Sequence, residues 1–460
     1  MVNSLIASWR TYPMWMQWVG SIAVMFELIS CGLSVGWASP YIANFLSGDS
    51  PFPATEDEVS WISSSFQLGR IAGAILGAIG VQYFGSRRVL IGNGVALLIS
   101  WILTIVAYSV PWLYVTRFIC GAANEAMNIC YPLYLGDISG PGIRGAIIVL
   151  AINGSAMGVI VAYSLGPYVS MKVFAYVGLV PNIIFFVLIP FLPDSPYYLA
   201  SKKKFKEAEK SILTYNRKAE VDKELKSVNV FVDEAESVKF LDRLRELNLP
   251  SNRAAIINLV IFTVFVQFSG TAILTAYLET ISTRGMLTII PASTMPLLTT
   301  GLAVLSGWIT TLFVDKWQRK VMWIISNGGV SLCNTAIGVH FYLLNIGVDP
   351  NSLQWLILLS LGLVGMLANV GITTVPHILL GELFGAKIRT LAVCICSSFG
   401  GIFGFAVISG YQYLIEIIDE AYIYWILAIV TLISAIYSVI MMPQTKGKSL
   451  TEIQTDLMNK

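Results

Sequence analysis

Long apolar stretches with few or no charged residues recur along this chain, and they limit what it can fold into. Residues 421–442 read AYIYWILAIVTLISAIYSVIMM, and residues 173–192 read VFAYVGLVPNIIFFVLIPFL. About twenty such residues in a helix, at roughly 1.5 Å each, cross the hydrocarbon of a bilayer. Hydrophobic residues make up 56% of the 460 and charged residues only 12%, which leaves too little polar surface for a soluble fold. The sequence therefore predicts an all-α membrane protein.

Counting these stretches along the chain predicts twelve transmembrane helices, which we number as spans 1 to 12. They lie near residues 13–36, 60–82, 89–109, 112–135, 145–168, 172–192, 255–279, 291–314, 321–344, 353–380, 390–413 and 421–442. A charged segment separates six spans from six, and we expect short amphipathic linker helices within it. The predicted organisation is an N-terminal half (1–192), a linker (193–253) and a C-terminal half with a short tail (254–460).

The distribution of basic residues predicts which way the spans run. Nearly all of the 29 Lys and Arg residues fall on the side of the two termini, and outside the spans only Lys172 and Arg284 fall on the other side. Under the positive-inside rule both termini are cytoplasmic. We read the basic run at residues 202–204 as part of this topology signal and expect no nucleic-acid partner.

An acid followed seven residues later by an arginine occurs in two corresponding loops. DISGPGIR (137–144) lies between spans 4 and 5, and ELFGAKIR (382–389) lies between spans 10 and 11. Such a duplicated six-helix unit is how many secondary transporters are built. We expect these charges to form bridges between the halves that break when the cytoplasmic mouth opens; the alternative is that they only set topology. The residues of this predicted cytoplasmic gate are Asp137, Arg144, Asp315, Arg319, Glu382, Arg389, Arg87 and Arg88.

Three ionisable residues, Glu27, Arg70 and Glu125, fall about halfway along their spans, and Arg117 also lies within span 4. An unpaired charge near the bilayer midplane costs at least about 2.5 to 3.5 kcal/mol, so pairing is expected. We expect Arg70 to bridge Glu27, Glu125 or both. Two hypotheses remain open: one carboxylate faces a cavity and binds solute or a proton, or the bridge only holds spans 1, 2 and 4 together.

Several motifs, in this order, resemble the sugar porters of the major facilitator superfamily, which include glucose facilitators and insect trehalose facilitators. They are RFICG (117–121), PLYLGDISGPGIRG (132–145), PDSP (193–196), QFSG (267–270), GELFGAKIR (381–389) and PQTKG (443–447). The resemblance covers almost the whole chain. It implies that the two halves rock to expose a central sugar site to each side in turn, with a helical bridge on the cytoplasmic face.

The chain departs from that family at the positions that contact sugar. On span 7 the family's Gln-Gln-x-Ser-Gly-x-Asn reads VQFSGTA, in which Gln267 is the one amide that remains, and on span 10 His377 stands where the family has Trp. Losing hydrogen-bond partners costs a polyhydroxylated ligand on the order of 1 kcal/mol for each group left unpaired. We expect a solute site that uses Gln267, Asn369, His377 and Asn153 among apolar walls. It would suit a different sugar, a glycoside or a less polar solute.

Whether transport is coupled to protons is also predicted from a position at which the chain departs from the family. Proton-coupled members carry an Asp on span 1 opposite the arginine of span 4; here Ser34 stands in its place and Arg117 is kept. Facilitated diffusion is therefore the preferred hypothesis. The alternatives are a non-transporting solute sensor on the same scaffold and a proton-coupled symporter of a less polar solute.

The remaining expectations concern partners. No catalytic motif, phosphate-binding loop or metal-ligand cluster occurs in the sequence, so we expect neither an enzyme nor a cofactor. The expected partners are a small solute, which we take to be a sugar, and the lipid of the plasma membrane, with the protein as a monomer. We expect His340, near the outer end of span 9, to be a surface residue.

Overall fold

The computed structural model describes residues 15–48, 52–140, 143–217, 220, 221, 225, 228, 249–313, 317–384 and 386–443. Within these ranges the chain forms helices and no strand, in an arrangement of twelve spans. The N-terminal half comprises Trp15–Gly36 with Ala38–Ser47 (span 1), Glu56–Phe84 (span 2), Ser86–Val106 (span 3), Val110–Ile138 (span 4), Arg144–Leu165 (span 5) and Met171–Leu188 (span 6). The C-terminal half comprises Pro250–Gln267 with Thr271–Arg284 (span 7), Met295–Phe313 (span 8), Arg319–Asn345 (span 9), Pro350–Val370 with Thr374–Leu383 (span 10), Ala386–Ile417 (span 11) and Glu420–Met441 (span 12).

Ten segments in the described part of the chain are long and apolar enough to cross a membrane. The other two spans, 4 and 9, carry polar side chains, among them Arg117 and Glu125 in span 4 and Asn334 in span 9. Span 4 packs against span 2 and span 9 against span 12, and these three polar side chains are buried. The predicted twelve-helix membrane fold is therefore confirmed, and the polar side chains named in spans 4 and 9 are covered by the protein.

Spans 1, 7 and 10 differ from the prediction because each is broken into two helices. The regular helix of span 1 is interrupted at Trp37, and a second helix continues to Ser47, beyond the predicted end of the span. Pro40 lies in the first turn of that second helix, where its missing N–H costs no hydrogen bond. Spans 7 and 10 are interrupted at residues 268–270 and 371–373.

Two linker helices, Pro196–Ser201 and Phe205–Tyr215, pack where span 1 begins and span 4 ends, and we call this face of the bundle the linker side. Gln17 Nε2 donates to the backbone oxygen of Tyr215 at 3.0 Å, and the hydroxyls of Tyr134 and Tyr215 lie 2.9 Å apart. Burial raises the pKa of the Tyr215 hydroxyl well above its usual value. It therefore stays protonated and donates to the carbonyl of Pro193 at 2.8 Å.

The buried apolar residues show how the two halves meet. On the face opposite the linker, which we call the far side, one cluster joins both halves and includes Trp37 and Tyr41 of span 1, Tyr277 of span 7 and Tyr411 of span 11. On the linker side the described residues form separate clusters, one in each half. Among the described residues, the interface between the halves is thus sealed by a shared apolar cluster on the far side and divided into separate clusters on the linker side.

Polar contacts reinforce the far-side seal. Ser39 Oγ of span 1 accepts a hydrogen bond from the backbone N–H of Glu279 in span 7 at 3.3 Å. Gln412 Nε2 of span 11 donates to Glu56 Oε2 of span 2 at 3.0 Å. These bonds cross between the halves, so opening the far side would have to break them.

Close helix packing within the N-terminal half depends on glycine. A Cβ built on Gly158 of span 5 would lie 2.2 Å from the backbone oxygen of Ile29 and 2.9 Å from Cα of Gly32 in span 1. A Cβ on Gly32 would lie 2.1 Å from the backbone oxygen of Ser155. Small residues therefore allow spans 1 and 5 to approach at backbone contact distance.

We predict that Gly158→Ala destabilises the protein by about 1–3 kcal/mol, because the new methyl group forces the two spans apart. Thermal unfolding in detergent would measure this as a lower melting temperature. Gly92→Ala is the matched control, since a Cβ there meets no atom within 4 Å. Equal melting temperatures for the two variants would contradict the packing described.

Candidate solute site between the two halves

The break in span 7 places Gln267 at the centre of the bundle. Gly270 has φ +90°, a left-handed conformation that residues with a side chain rarely adopt. Asn334 Nδ2 of span 9 donates to the backbone oxygen of Ser269 at 3.1 Å, and Ser269 Oγ lies 2.9 Å from Thr271 Oγ1. The Ser269 carbonyl at the break is thus satisfied inside the protein, and the first helix ends at Gln267.

The break in span 10 is supported in the same way and precedes His377 by one helical turn. Ser326 Oγ of span 9 accepts from the backbone N–H of Ile372 at 3.0 Å and donates to the backbone oxygen of Leu367 at 2.7 Å. His377 lies in the second helix of span 10, and its side chain is exposed.

Arg117 supports the third broken helix. Its Nη1 donates to the backbone oxygen of Ser34 at 2.5 Å, just before the turn at Trp37. The guanidinium carbon lies 4.6 Å from the ring centre of Phe66 and 5.2 Å from that of Trp37, which are cation–π distances. The structure therefore gives Arg117 a carbonyl and two aromatic faces as partners.

The intramembrane ion pair joins Arg70 of span 2 to Glu125 of span 4. Arg70 Nε lies 2.7 Å from Glu125 Oε2, and Arg70 Nη1 donates to Gln67 Oε1 at 3.1 Å. The Glu125 part of the prediction for Arg70 is confirmed. Gln67 was not predicted, although its position three residues before Arg70 places both side chains on the same helix face.

Glu27, the other candidate partner of Arg70, does not pair with it. Glu27 is fully buried, and both of its carboxylate oxygens accept from Asn182 Nδ2 of span 6, at 3.0 and 3.3 Å. The same amide donates to the backbone oxygen of Gly94 in span 3 at 3.1 Å. Glu27 therefore faces spans 3 and 6, whereas Arg70 faces span 4.

Two glutamines, one from each half, meet at span 11. A Cβ built on Gly404 would lie 3.0 Å from Oε1 of Gln67 and 3.0 Å from Oε1 of Gln267. The amide oxygens of Gln67 and Gln267 therefore lie at most 6.0 Å apart, twice the 3.0 Å that separates each from this Cβ. The predicted solute residue Gln267 thus lies beside the polar group formed by Gln67, Arg70 and Glu125.

Two further residues of the C-terminal half approach this group. The Ser397 hydroxyl of span 11 lies near the Glu125 carboxylate. His377 is close enough to Glu125 and Arg70 to interact with both electrostatically. We call Gln67, Arg70, Glu125, Gln267, His377 and Ser397 the central cluster. Ser397 was also not predicted from the sequence, because a serine in an apolar helix does not by itself indicate a functional residue.

The other two predicted solute residues lie elsewhere. Asn369 Nδ2 donates to the backbone oxygen of Ala303 at 2.7 Å, and its Oδ1 accepts from Thr373 Oγ1 at 2.8 Å. Its amide thus ties the break in span 10 to span 8. Asn153 is half-buried on span 5. A role in solute binding stays a prediction for both.

His340 is not a surface residue, contrary to the prediction. Its side chain is fully buried, and Nε2 lies 2.9 Å from the backbone oxygen of Gly285 at the end of span 7. The position near a helix end suggested exposure, but the loop after span 7 folds over it.

Residues of the predicted cytoplasmic gate contact the linker in the described part of the chain. Asp137 accepts from Ser195 Oγ at 2.6 Å, Arg87 lies 3.6 Å from Asp194, and Arg88 Nη1 donates to Tyr198 Oη at 3.3 Å. Arg319 is buried at the start of span 9. Asp315 and the side chains of Arg144, Glu382 and Arg389 lie outside the described residues. Bridges between the halves at this gate stay a prediction.

A twelve-span helical membrane protein with three broken helices around a central polar cluster has the architecture of a transporter. The family model for the sugar (and other) transporter family matches residues 20–457, and the chain belongs to that family. It is 26% identical over 451 residues to the facilitated trehalose transporter Tret1 of Bombyx mori, covering 96% of this chain and 87% of that protein. A second Tret1, from Apis mellifera ligustica, is 26% identical over 444 residues, covering 95% and 88%.

Solved structures show the same fold. The proton:xylose symporter XylE, bound to 6-bromo-6-deoxy-D-glucose, superposes with a TM-score of 0.76 at 19% identity, covering 97% of this chain and all of that one. The partially occluded inward-open form of the xylose transporter XylE from E. coli also gives 0.76, at 18% identity, covering 95% and 99%. The major facilitator fold expected from the sequence is therefore confirmed.

We predict that Asn334→Leu destabilises the protein by about 1–3 kcal/mol, because the buried carbonyl of Ser269 loses its partner. Thermal unfolding in detergent would detect the change. Asn345→Leu, at the exposed end of the same span, is the control and should leave the melting temperature almost unchanged. An unaltered melting temperature for Asn334→Leu would show that the break in span 7 does not need this hydrogen bond.

Proposed function

We propose that this chain is a facilitative carrier of a sugar or sugar-like solute in the plasma membrane, with both termini cytoplasmic. The observation that carries the proposal is the interface between the halves, sealed on the far side and divided on the linker side, with the central cluster between them. A solute entering from the linker side would reach Gln267 and His377. Rocking of residues 1–192 against residues 254–460 would then expose it to the far side.

The solute class is inferred from the family and from polar side chains in the centre. The trehalose transporters that this chain resembles are named as facilitated transporters. Gln267 and Gln67 offer amide donors and acceptors, which suit hydroxyl groups. The acids and arginines of the predicted gate would form bridges between the halves when the linker side closes.

Facilitated diffusion is favoured over proton coupling by the surroundings of Arg117. Its partners are the Ser34 carbonyl and the rings of Phe66 and Trp37. None of these groups takes up a proton near neutral pH. Arg117 would therefore not couple proton uptake to a rearrangement of the bundle.

The test is uptake of labelled glucose, trehalose and a panel of glycosides into proteoliposomes, with and without a pH gradient. We expect saturable uptake of at least one sugar without the gradient. Uptake that requires acid outside and collapses with the gradient would indicate a symporter instead. Solute binding without uptake would indicate a sensor, and the absence of both would contradict the proposed solute class.

A single-residue test uses Gln267. We predict that Gln267→Ala raises the KM of the transported sugar about three- to tenfold, the equivalent of one hydrogen bond worth roughly 1 kcal/mol. Gln318→Ala, an exposed glutamine at the start of span 9, is the matched control. Unchanged KM values for both variants would remove Gln267 from the site.

A further inference from the structure

Arg70 has hydrogen-bonding capacity that its protein partners do not use. A guanidinium carries five N–H donors in one plane. Nε and one Nη1 hydrogen are directed to Glu125 and Gln67, whereas Nη2 has no hydrogen-bond partner among the described residues. A quarter of the Arg70 side chain is exposed (25%), compared with 5% for Glu125. The guanidinium is thus held rigidly by two acceptors and still has open donors.

The exposed part of Arg70 faces the space between the halves. A guanidinium at mid-membrane does not face lipid, because the cost of exposing its charge to hydrocarbon is too high. The next residue, Ile71, packs against Gly401 of span 11, and Gln67 lies beside Gly404. His377 of span 10 interacts with Arg70 across the same gap. The open donors therefore lie between spans 2 and 4 on one side and spans 10 and 11 on the other.

The charge of the cluster selects the kind of solute. Arg70 and Glu125 together carry no net charge while ionised, and the other members of the central cluster are neutral when His377 is unprotonated. An anionic solute would add a negative charge next to Glu125 in a region of low dielectric, which is unfavourable. A hydroxyl oxygen accepts from a guanidinium without adding charge, and such charge-assisted hydrogen bonds are among the strong ones.

We propose that Arg70 is a specificity-determining residue that donates hydrogen bonds to the hydroxyl oxygens of a neutral, polyhydroxylated solute. Glu125 and Gln67 are its positioning residues. This inference rests on the proposed function, because it takes the solute to be sugar-like. The strongest polar contact with the solute would then come from spans 2 and 4 of the N-terminal half.

The test compares purified variants in proteoliposomes with labelled glucose, trehalose and glucuronate. R70Q/E125Q removes the guanidinium but keeps the cluster neutral, so the protein should fold with a melting temperature near that of the wild type. We expect its KM for the transported neutral sugar to rise at least tenfold, with a smaller change in kcat. R70K keeps a charge to pair with Glu125 but lacks the planar fork, and it should not restore the KM.

Glu27→Gln is the matched control, because Glu27 is a membrane-embedded carboxylate that faces spans 3 and 6, away from the cluster. It should leave the KM unchanged. A wild-type KM in R70Q/E125Q, full rescue by R70K, or preference for glucuronate would each overturn the role of Arg70 while leaving sugar transport intact. If the wild type neither binds nor transports any neutral sugar, the proposed function fails, and this inference fails with it.

Discussion

Backbone polar groups inside a bilayer must find partners within the protein, and this constraint organises the centre of the molecule. Spans 1, 7 and 10 are all interrupted within the protein, so each leaves carbonyl or N–H groups that its own helix does not satisfy. Side chains of unbroken neighbours supply the missing bonds: Asn334 and Ser326 from span 9, and Arg117 from span 4. Polar side chains in spans 4 and 9 thus complete the hydrogen bonding of the broken spans.

The breaks in turn shape the solute site. Ending a helix at Gln267 and beginning another before His377 places side chains and backbone in the middle of the bundle at angles that a straight helix does not allow. Gly404 of span 11 leaves room there for Gln267 and for Gln67 of the opposite half. The site is thus assembled from helix ends, and its position at the interface between the halves follows from where the breaks lie.

The fold could be predicted from the sequence because span length and apolar character are local properties, and the predicted helices match the observed ones closely at most ends. The breaks were missed because a single glycine such as Gly270 in an apolar run gives little local signal, although its φ of +90° interrupts the helix. The pairing of Arg70 with Glu125, and of Glu27 with Asn182, depends on how each helix is rotated against its neighbours. Spacing along the chain does not contain that information.

The location of the partners has a consequence for movement between the halves. Arg70, Glu27 and Arg117 each have their partners within the N-terminal half. The C-terminal half contributes Gln267, His377 and Ser397 to the cluster, and these groups need not be ionised. Separating a buried ion pair leaves an uncompensated charge and is strongly unfavourable. Here the halves can part without separating any of these three charges from its partner. Rocking would then exchange only neutral or solute-mediated hydrogen bonds at the centre, which keeps the energetic difference between the two orientations small.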